Sequence, residues 1–581
     1  MRPRGSDVFR PLVFGVFPSV LPGACGLPPE PTRRLLRQVS AALGVETSAH
    51  ATGIQSTHTP PLGRRASVQR RRNGPQHQPA AQSQQRLYSH VVHPASVLTL
   101  INANRMRPPI APVGLDYVAT AAREGGIETV VLDLGLTPAP DAALADHFAC
   151  HEPRLVGLTF RNVDDCFWPS ATSFVPELCE LVTTLRGLTE APIVLGGVGF
   201  SVFAERIWQL VKADYGVRGD GERAIVELYR ALEDPGRLAQ VPGLLWRDRD
   251  RVAINPPAFG RAEPLAVPTQ RDAIDNAGYF RVGGQIGVET KRGCPRRCTY
   301  CADPLAKGSQ VRWRSPTDIA DEFSALAAQG VDVIHLCDGE FNVPRPHALE
   351  VCHELQRRGL GERVHWYTYA TVTPFDDELA DGMQRAGCVG IDFTGDAGCN
   401  AMLAAYGHPH RREDLTAAVR RCRDRHLRCM VDLLLGGPGE TPDTVRETVA
   451  FLQQIAPDCV GASLGIRLYP GTRLASSLLR DPTILDRGGI RRKYDGAIDL
   501  LRPTFFIAPE LGNRPAALVR ELVGDDPRFF PPAEEATGGH AEGDHNYNDN
   551  PPLARAIEAG MRGAYWDILS QLRNAASNPR V

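Results

Sequence analysis

KRGCPRRCTYC, residues 291–301, sets Cys294, Cys298 and Cys301 at the spacing Cys-x3-Cys-x2-Cys. Three thiolates on one short loop hold three irons of a cubane and leave the fourth iron without a cysteine. A structural zinc site needs a fourth Cys or His at short spacing, and the next such residue is His335. An electron carrier normally gives four cysteines to its cluster. The loop therefore points to a [4Fe–4S] cluster with one vacant corner, held by Cys294, Cys298 and Cys301 as metal ligands.

Around this loop the pattern is that of strands alternating with helices. Apolar runs at 286–290, 331–336, 364–369, 389–393, 430–435 and 462–468 predict six strands with helical stretches between them. Polar groups stand at their C-terminal ends: Asp338-Gly339-Glu340, Tyr369, Asp392 with Thr394-Gly395-Asp396, Gly436-Gly437, and Arg467. That is the end where parallel barrels carry their sites.

Upstream, strands are predicted over 97–101, 129–134, 155–160, 193–195 and 213–217, with helices over 115–124, 174–186, 204–211 and 222–232. Near-continuous apolar strands separated by helices imply a parallel sheet covered on both faces, here a flavodoxin-like (Rossmann-like) α/β domain over 96–235. Its ligand is expected beyond the C-terminal strand ends. Gly196-Gly197 follows the fourth strand, where glycines let a flat ligand approach the backbone; a plain turn is the alternative. The third strand runs into Arg161-Asn162-Val163-Asp164-Asp165.

Residues 236–285 read as a linker. Residues 476–581 read as mainly helical, with helices over 490–500, 516–523 and 553–572. The loop that holds His545-Asn546-Tyr547-Asn548-Asp549-Asn550 is dense in donors and acceptors. It reads either as a cover over a substrate or as a surface loop with Asn turns.

The chain has 581 residues, a formal charge of −2 and 14 cysteines. That length suggests roughly three or four domains. The balanced charge offers no strong pull toward nucleic acid or anionic membrane, and no apolar run reaches the ~18 residues of a membrane helix. The cysteines are too sparse for a disulfide scaffold and fit a reducing cytoplasm. Residues 1–95, rich in Pro, Arg, Gln, Ser and His, read as a disordered leader or a misassigned start. The short apolar stretch 12–21 weakly suggests a secretory signal instead.

Four segments carry a family resemblance: NANRMRPPIAPVG (102–114), Arg161 to Asp165, KRGCPRRCTYCADPLAKG (291–308) and CDGEFN (337–342). Over about residues 96–581 the chain resembles the cobalamin (B12)-dependent radical S-adenosylmethionine (SAM) methyltransferases. Within them it is most similar to the tryptophan 2-C-methyltransferase type of antibiotic biosynthesis. The resemblance implies a cobalamin-binding domain at 96–235, a partial (β/α)6 radical SAM barrel at 286–475, and a substrate-covering region at 476–581. It implies that SAM chelates the vacant iron, that Tyr300 and the Gly436-Gly437 turn lie near its adenine, and that Gly196 and Gly197 flank the cobalamin nucleotide tail. Asp338-Gly339-Glu340 stands where the family usually has Gly-Gly-Glu, so Glu340 either holds the SAM ammonium or caps the open iron.

Mutases of the wider cobalamin group carry Asp-x-His-x-x-Gly after the first strand; here that loop has no His. A guanidinium has no lone pair for a metal, so Arg161 beneath cobalt would disfavour a lower ligand. The alternatives are that Arg161 pairs with Asp164 or Asp165, or holds a propionamide; Asn162 beside it is a further cofactor-binding candidate. By the same resemblance, methyl passes from SAM through methylcobalamin to an unactivated carbon, C2 of tryptophan above all. The wider group also methylates phosphinate phosphorus or other natural-product intermediates, or catalyses a B12-dependent rearrangement. A B12-binding sensor would need no cysteine loop. Glu340, Tyr369 and Asp392 are catalytic candidates for removing the indole proton. An electron donor is the expected partner, and Arg161 and Glu340 are expected to face each other across one cavity.

Overall fold

The computed structural model describes residues 97–249, 251–260, 265–481, 483, 488–534 and 546–577. The expectations for residues 1–95 and for His545 lie outside them.

The first sheet contains β1 (Leu98–Asn102), β2 (Thr129–Asp133), β3 (Leu155–Thr159), β4 (Ile193–Gly196), β5 (Tyr215–Val217), β6 (Leu244–Asp248) and β7 (Arg251–Ile254), in the order 2-1-3-4-5-6-7. β1 to β5 are parallel, and every residue of β1 is buried. This is the doubly wound order with its crevice at the C-terminal ends of β1 and β3. One helix, Pro140–Cys150, was not legible in the sequence. It buries only Leu144 and His147, so it carries almost no apolar stripe. The expected linker also does more than connect. Its residues β6 and β7 form an antiparallel hairpin on the edge of β5. Leu244 and Leu245 are buried there, and the hairpin covers an edge that would otherwise stand open.

The second sheet is built from β8 (Gly287–Val288), β11 (Val333–Leu336), β12 (His365–Ala370), β13 (Cys388–Asp396), β14 (Arg428–Leu435) and β15 (Cys459–Leu464). Two short antiparallel strands, β9 (Lys291–Arg292) and β10 (Arg312–Trp313), flank the cysteine loop. All neighbours in the second sheet are parallel. Ile334, Trp366, Ile391, Val431 and Val460 pack into the main core. Their alternating neighbours Val333, Tyr367, Met430 and Cys459 pack instead with Leu553, Tyr565 and Trp566. The helices Pro551–Glu558 and Tyr565–Ser577 thus stop the barrel floor.

Further strand and helix expectations are corrected. The sixth barrel strand ends at Leu464, and Ile466–Arg467 forms β16 in a separate three-stranded sheet with β17 (Ile490–Arg492) and β18 (Thr504–Phe506). Residues 490–500 are therefore not a helix: their first residues pair with β18. β19 (Phe529–Phe530) adds a seventh strand beside β15. The expected helix over 553–572 is two helices, separated by a turn at Gly560 to Gly563. Among the described residues no helix is long and apolar enough to cross a membrane.

Candidate active site

The cysteine loop is held from both sides. Lys291 Nζ pairs with Asp338 at 2.7 Å, and the Thr290 amide donates to the same carboxylate at 2.7 Å. Arg292 meets Glu222 of the first domain at 2.6 Å and Glu289 at 2.7 Å. Gly293 turns the chain with φ +91°, and a Cβ there would lie 2.1 Å from the Gln310 carbonyl. Cys294 and Cys301 are buried and Cys298 is half-buried. Burial, above all, raises all three thiols, Cys294 to about 12. Cys298 also feels Cys294, and Cys301 feels both of the others. Such thiols stay protonated unless a metal centre displaces the protons. Among the described residues no three His, Cys, Asp or Glu side chains close on a single ion. The set fits a cluster, whose thiolates sit on separate irons, better than zinc.

Asp338 explains its departure from Gly-Gly-Glu: its carboxylate is the anchor of Lys291 and Thr290. Glu340 accepts a hydrogen bond from Thr394 Oγ1 at 3.0 Å, while its buried Oε2 has no partner among the described residues. Burial pushes this carboxyl up to about 8. Glu340 is also among the charges felt by Cys294 and Cys298. Tyr300 donates its hydroxyl to Asp396, which His408 meets at 2.5 Å. The Gly436 and Gly437 amides both donate to Glu440, the latter at 3.2 Å.

A cavity opens where the two sheets meet. Asn104, Arg161, Asn162, Gly196, Gly197 and Gly199 line it from the first domain; Gln285, Cys337, Asp338, Gly339 and Tyr369 line it from the barrel side. Gly197 has φ +104°, and a Cβ there would lie 2.8 Å from the Phe160 carbonyl; beside Gly196 the nearest atom is 4.0 Å away. These positions leave a backbone cradle suited to a flat, bulky ligand. Arg161 pairs with neither acid considered for it. Asp164 is taken by Arg467 at 2.7 Å, and Asp165 accepts from Ser170 at 2.5 Å. Arg161 Nη1 is buried without a hydrogen-bond partner. The groups acting on its charge are Cys337, Tyr369 and Tyr565, and burial lowers its proton affinity. An orphaned guanidinium beside a glycine cradle fits a corrinoid with no protein ligand from that side.

One expectation is corrected here. Arg161 lines the cavity together with Asp338 and Gly339, but Glu340 does not. The bond to Thr394 on β13 holds Glu340 toward the cysteines instead.

Asp392 lies inside the barrel, 3% exposed, with Oδ1 unpartnered. Burial and the neighbouring Asp432 raise it well above the usual carboxylate range. Asp432 was missed in the sequence. Its signal was there: a carboxylate inside the apolar strand predicted over 430–435.

Comparison with known proteins agrees with this division. The B12 binding domain family matches residues 100–229, and the Radical SAM superfamily matches residues 288–452. The tryptophan 2-C-methyltransferase of Streptomyces laurentii is 30% identical over 575 residues, covering 81% of this chain and 95% of that protein. The cytidylyl-2-hydroxyethylphosphonate methyltransferase of Streptomyces wedmorensis is 25% identical, covering 50% and 62%. The structure of TsrM from Kitasatospora setae, with tryptophan and a SAM analogue bound, superposes with a TM-score of 0.75 at 30% identity, covering 84% of this chain and 99% of that one.

Proposed function

The chain belongs to the cobalamin-dependent radical SAM methyltransferases, and on that premise we propose that its methyl acceptor is C2 of tryptophan. Its cofactors are a [4Fe–4S] cluster, SAM and cobalamin: when bound, the cluster supplies a vacant iron for SAM, SAM the methyl group, and cobalamin its carrier. The observation that carries the reading is the shared cavity, with the glycine cradle and Arg161 on one wall and Asp338, Gly339 and Tyr369 on the other. The Lys291–Asp338 pair ties that second wall to the cysteine loop.

Each residue then has a task. Cys294, Cys298 and Cys301 hold the cluster, and Glu340 faces it as the partner for SAM or for the open iron. Arg161 lines the cavity where the corrin would sit and would offer it no metal-ligating lone pair. The proton leaving C2 has three candidate acceptors, Glu340, Tyr369 and Asp392. Tyr369 alone lines the cavity, and Glu340, pushed up to about 8, matches a base working near neutral pH. The C-terminal segment closes the acceptor side: Asn546 is buried there, and the Asp549 amide donates to the Arg107 carbonyl at 2.8 Å. An external electron donor completes the reading.

Anaerobic reconstitution with iron, sulfide and hydroxocobalamin, followed by SAM and tryptophan, tests it. The expected product is tryptophan heavier by CH2, methylated at C2. SAM demethylation without that product keeps the class and rejects the substrate. Arg161→His is expected to move the cobalamin spectrum toward a ligated form. An unchanged spectrum would count against Arg161 standing at the cobalt face.

A further inference from the structure

Inside the barrel, two carboxyls stand without a counter-charge. Asp392 on β13 pairs with Met430 on β14. Asp432, two residues on, shares the face of Met430. Met430 belongs to the cluster that stops the barrel floor, so both acids look into the barrel. Oδ1 of each is buried and has no hydrogen-bond partner among the described residues.

Among the described residues their surroundings supply no cation. Asp392 feels Asp432 and Glu340; Asp432 feels Asp396. The other groups that sense the pair are Tyr547 from the C-terminal segment and Cys459 from β15. Arg428 reaches Cys459, but it is itself taken by Asp458 and Asp567 at 2.5 and 2.6 Å. Two buried carboxyls cannot both ionise without an opposite charge, and buried acceptors without donors are costly. A ligand with a cationic N–H cluster answers both deficits at once.

We propose that Asp392 and Asp432 form an ammonium subsite that grips the primary amine of the methyl acceptor. Tyr369 links this subsite to the cofactor cavity: it lines the cavity, and its strand partner on β13 is Asp392. An aromatic ring attached to the gripped amine would then lie against Tyr369. The inference rests on the methyl-transfer reading and specifies the acceptor class, an aromatic primary amine. SAM carries the rival ammonium, and Glu340 is its expected partner.

The test uses the reconstituted holoenzyme with tryptophan, tryptamine (amine, no carboxylate) and indole-3-propionate (carboxylate, no amine). Binding is read by equilibrium dialysis and turnover by product mass. The wild type is expected to bind tryptophan and tryptamine about tenfold or more tighter than indole-3-propionate, the scale of a charge-assisted hydrogen bond. In Asp392→Asn/Asp432→Asn that binding preference is expected to vanish, with SAM binding by equilibrium dialysis and the cluster and cobalamin absorbance retained. Asp432→Asn alone gives the same reading, at smaller amplitude, if the double variant misfolds. An amine preference that survives the substitutions overturns the proposal, and so does weakened SAM binding in its place. An enzyme that grips tryptamine through these acids yet methylates no tryptophan sinks the substrate reading and leaves the subsite standing.

Discussion

Glu440 closes the glycine turn after β14 from inside. Its carboxylate takes the amides of Gly436 and Gly437 and is fully buried. Burial pushes it up to about 7 from an ordinary 4.5. A carboxyl that holds its proton more tightly when folded contributes its full stability below the unfolded value, and loses it as pH rises through the folded one. At about 1.4 kcal/mol per unit, the cofactor-free chain should lose up to ~3 kcal/mol from this group between pH 4.5 and 7. Glu440→Gln, which keeps an acceptor for the amides, should flatten that loss. Urea unfolding at the two ends of the window checks it. The cysteines make a sharper prediction. Cys298→Ala removes one of three thiolates, and the reconstituted protein should lose its visible cluster absorbance. Full absorbance in that variant would contradict the ligand assignment.

Elements place these residues, and the turn after β4 shows how. Gly197→Ala puts a methyl group 2.8 Å from the Phe160 carbonyl at φ +104°. It should destabilise the first domain by about 1–3 kcal/mol, seen as a lower midpoint in denaturant. Gly196→Ala meets nothing nearer than 4.0 Å, so stability should hold while corrinoid retention on gel filtration falls. Equal effects from the two substitutions would mean that the cradle is only a turn. Most strands of the two parallel sheets were readable because they are compact apolar runs, as in β1 and β11, where every residue is buried. The 490–500 segment misled because β17 is defined by its pairing with β18, which no local periodicity records.

At the scale of the molecule, one buried network locks the domains together. Asp116 and Tyr117 come from the helix Val113–Glu124 of the first domain, Arg271 from the connecting segment, and Glu322 from the barrel helix Pro316–Ala328. Arg271 meets Asp116 at 2.6 Å and Glu322 at 2.5 Å, and Tyr117 donates to Glu322 at 2.7 Å. Arg271→Ala leaves buried Asp116 without its cation, while Glu322 keeps Arg314 at 2.5 Å, a change worth about 3–5 kcal/mol. Calorimetry should then show a lower and broader transition as the two domains uncouple. A single unshifted transition would show that the network does not hold them.

How much could be read in advance follows from the range of the forces involved. The cysteine spacing and the alternation of strands and helices are set within a few residues of one another, so the cluster and the two-domain architecture could be read locally, while cobalamin and SAM followed from the family resemblance. Other facts required the closed chain. Asp164 meets Arg467 across 303 positions, which is why Arg161 stands unpaired. Asp338 meets Lys291 across 47. Asp392 and Asp432 share an interior only because neighbouring strands align them. Charge compensation in a buried site depends on distance in space, and only folding sets that distance.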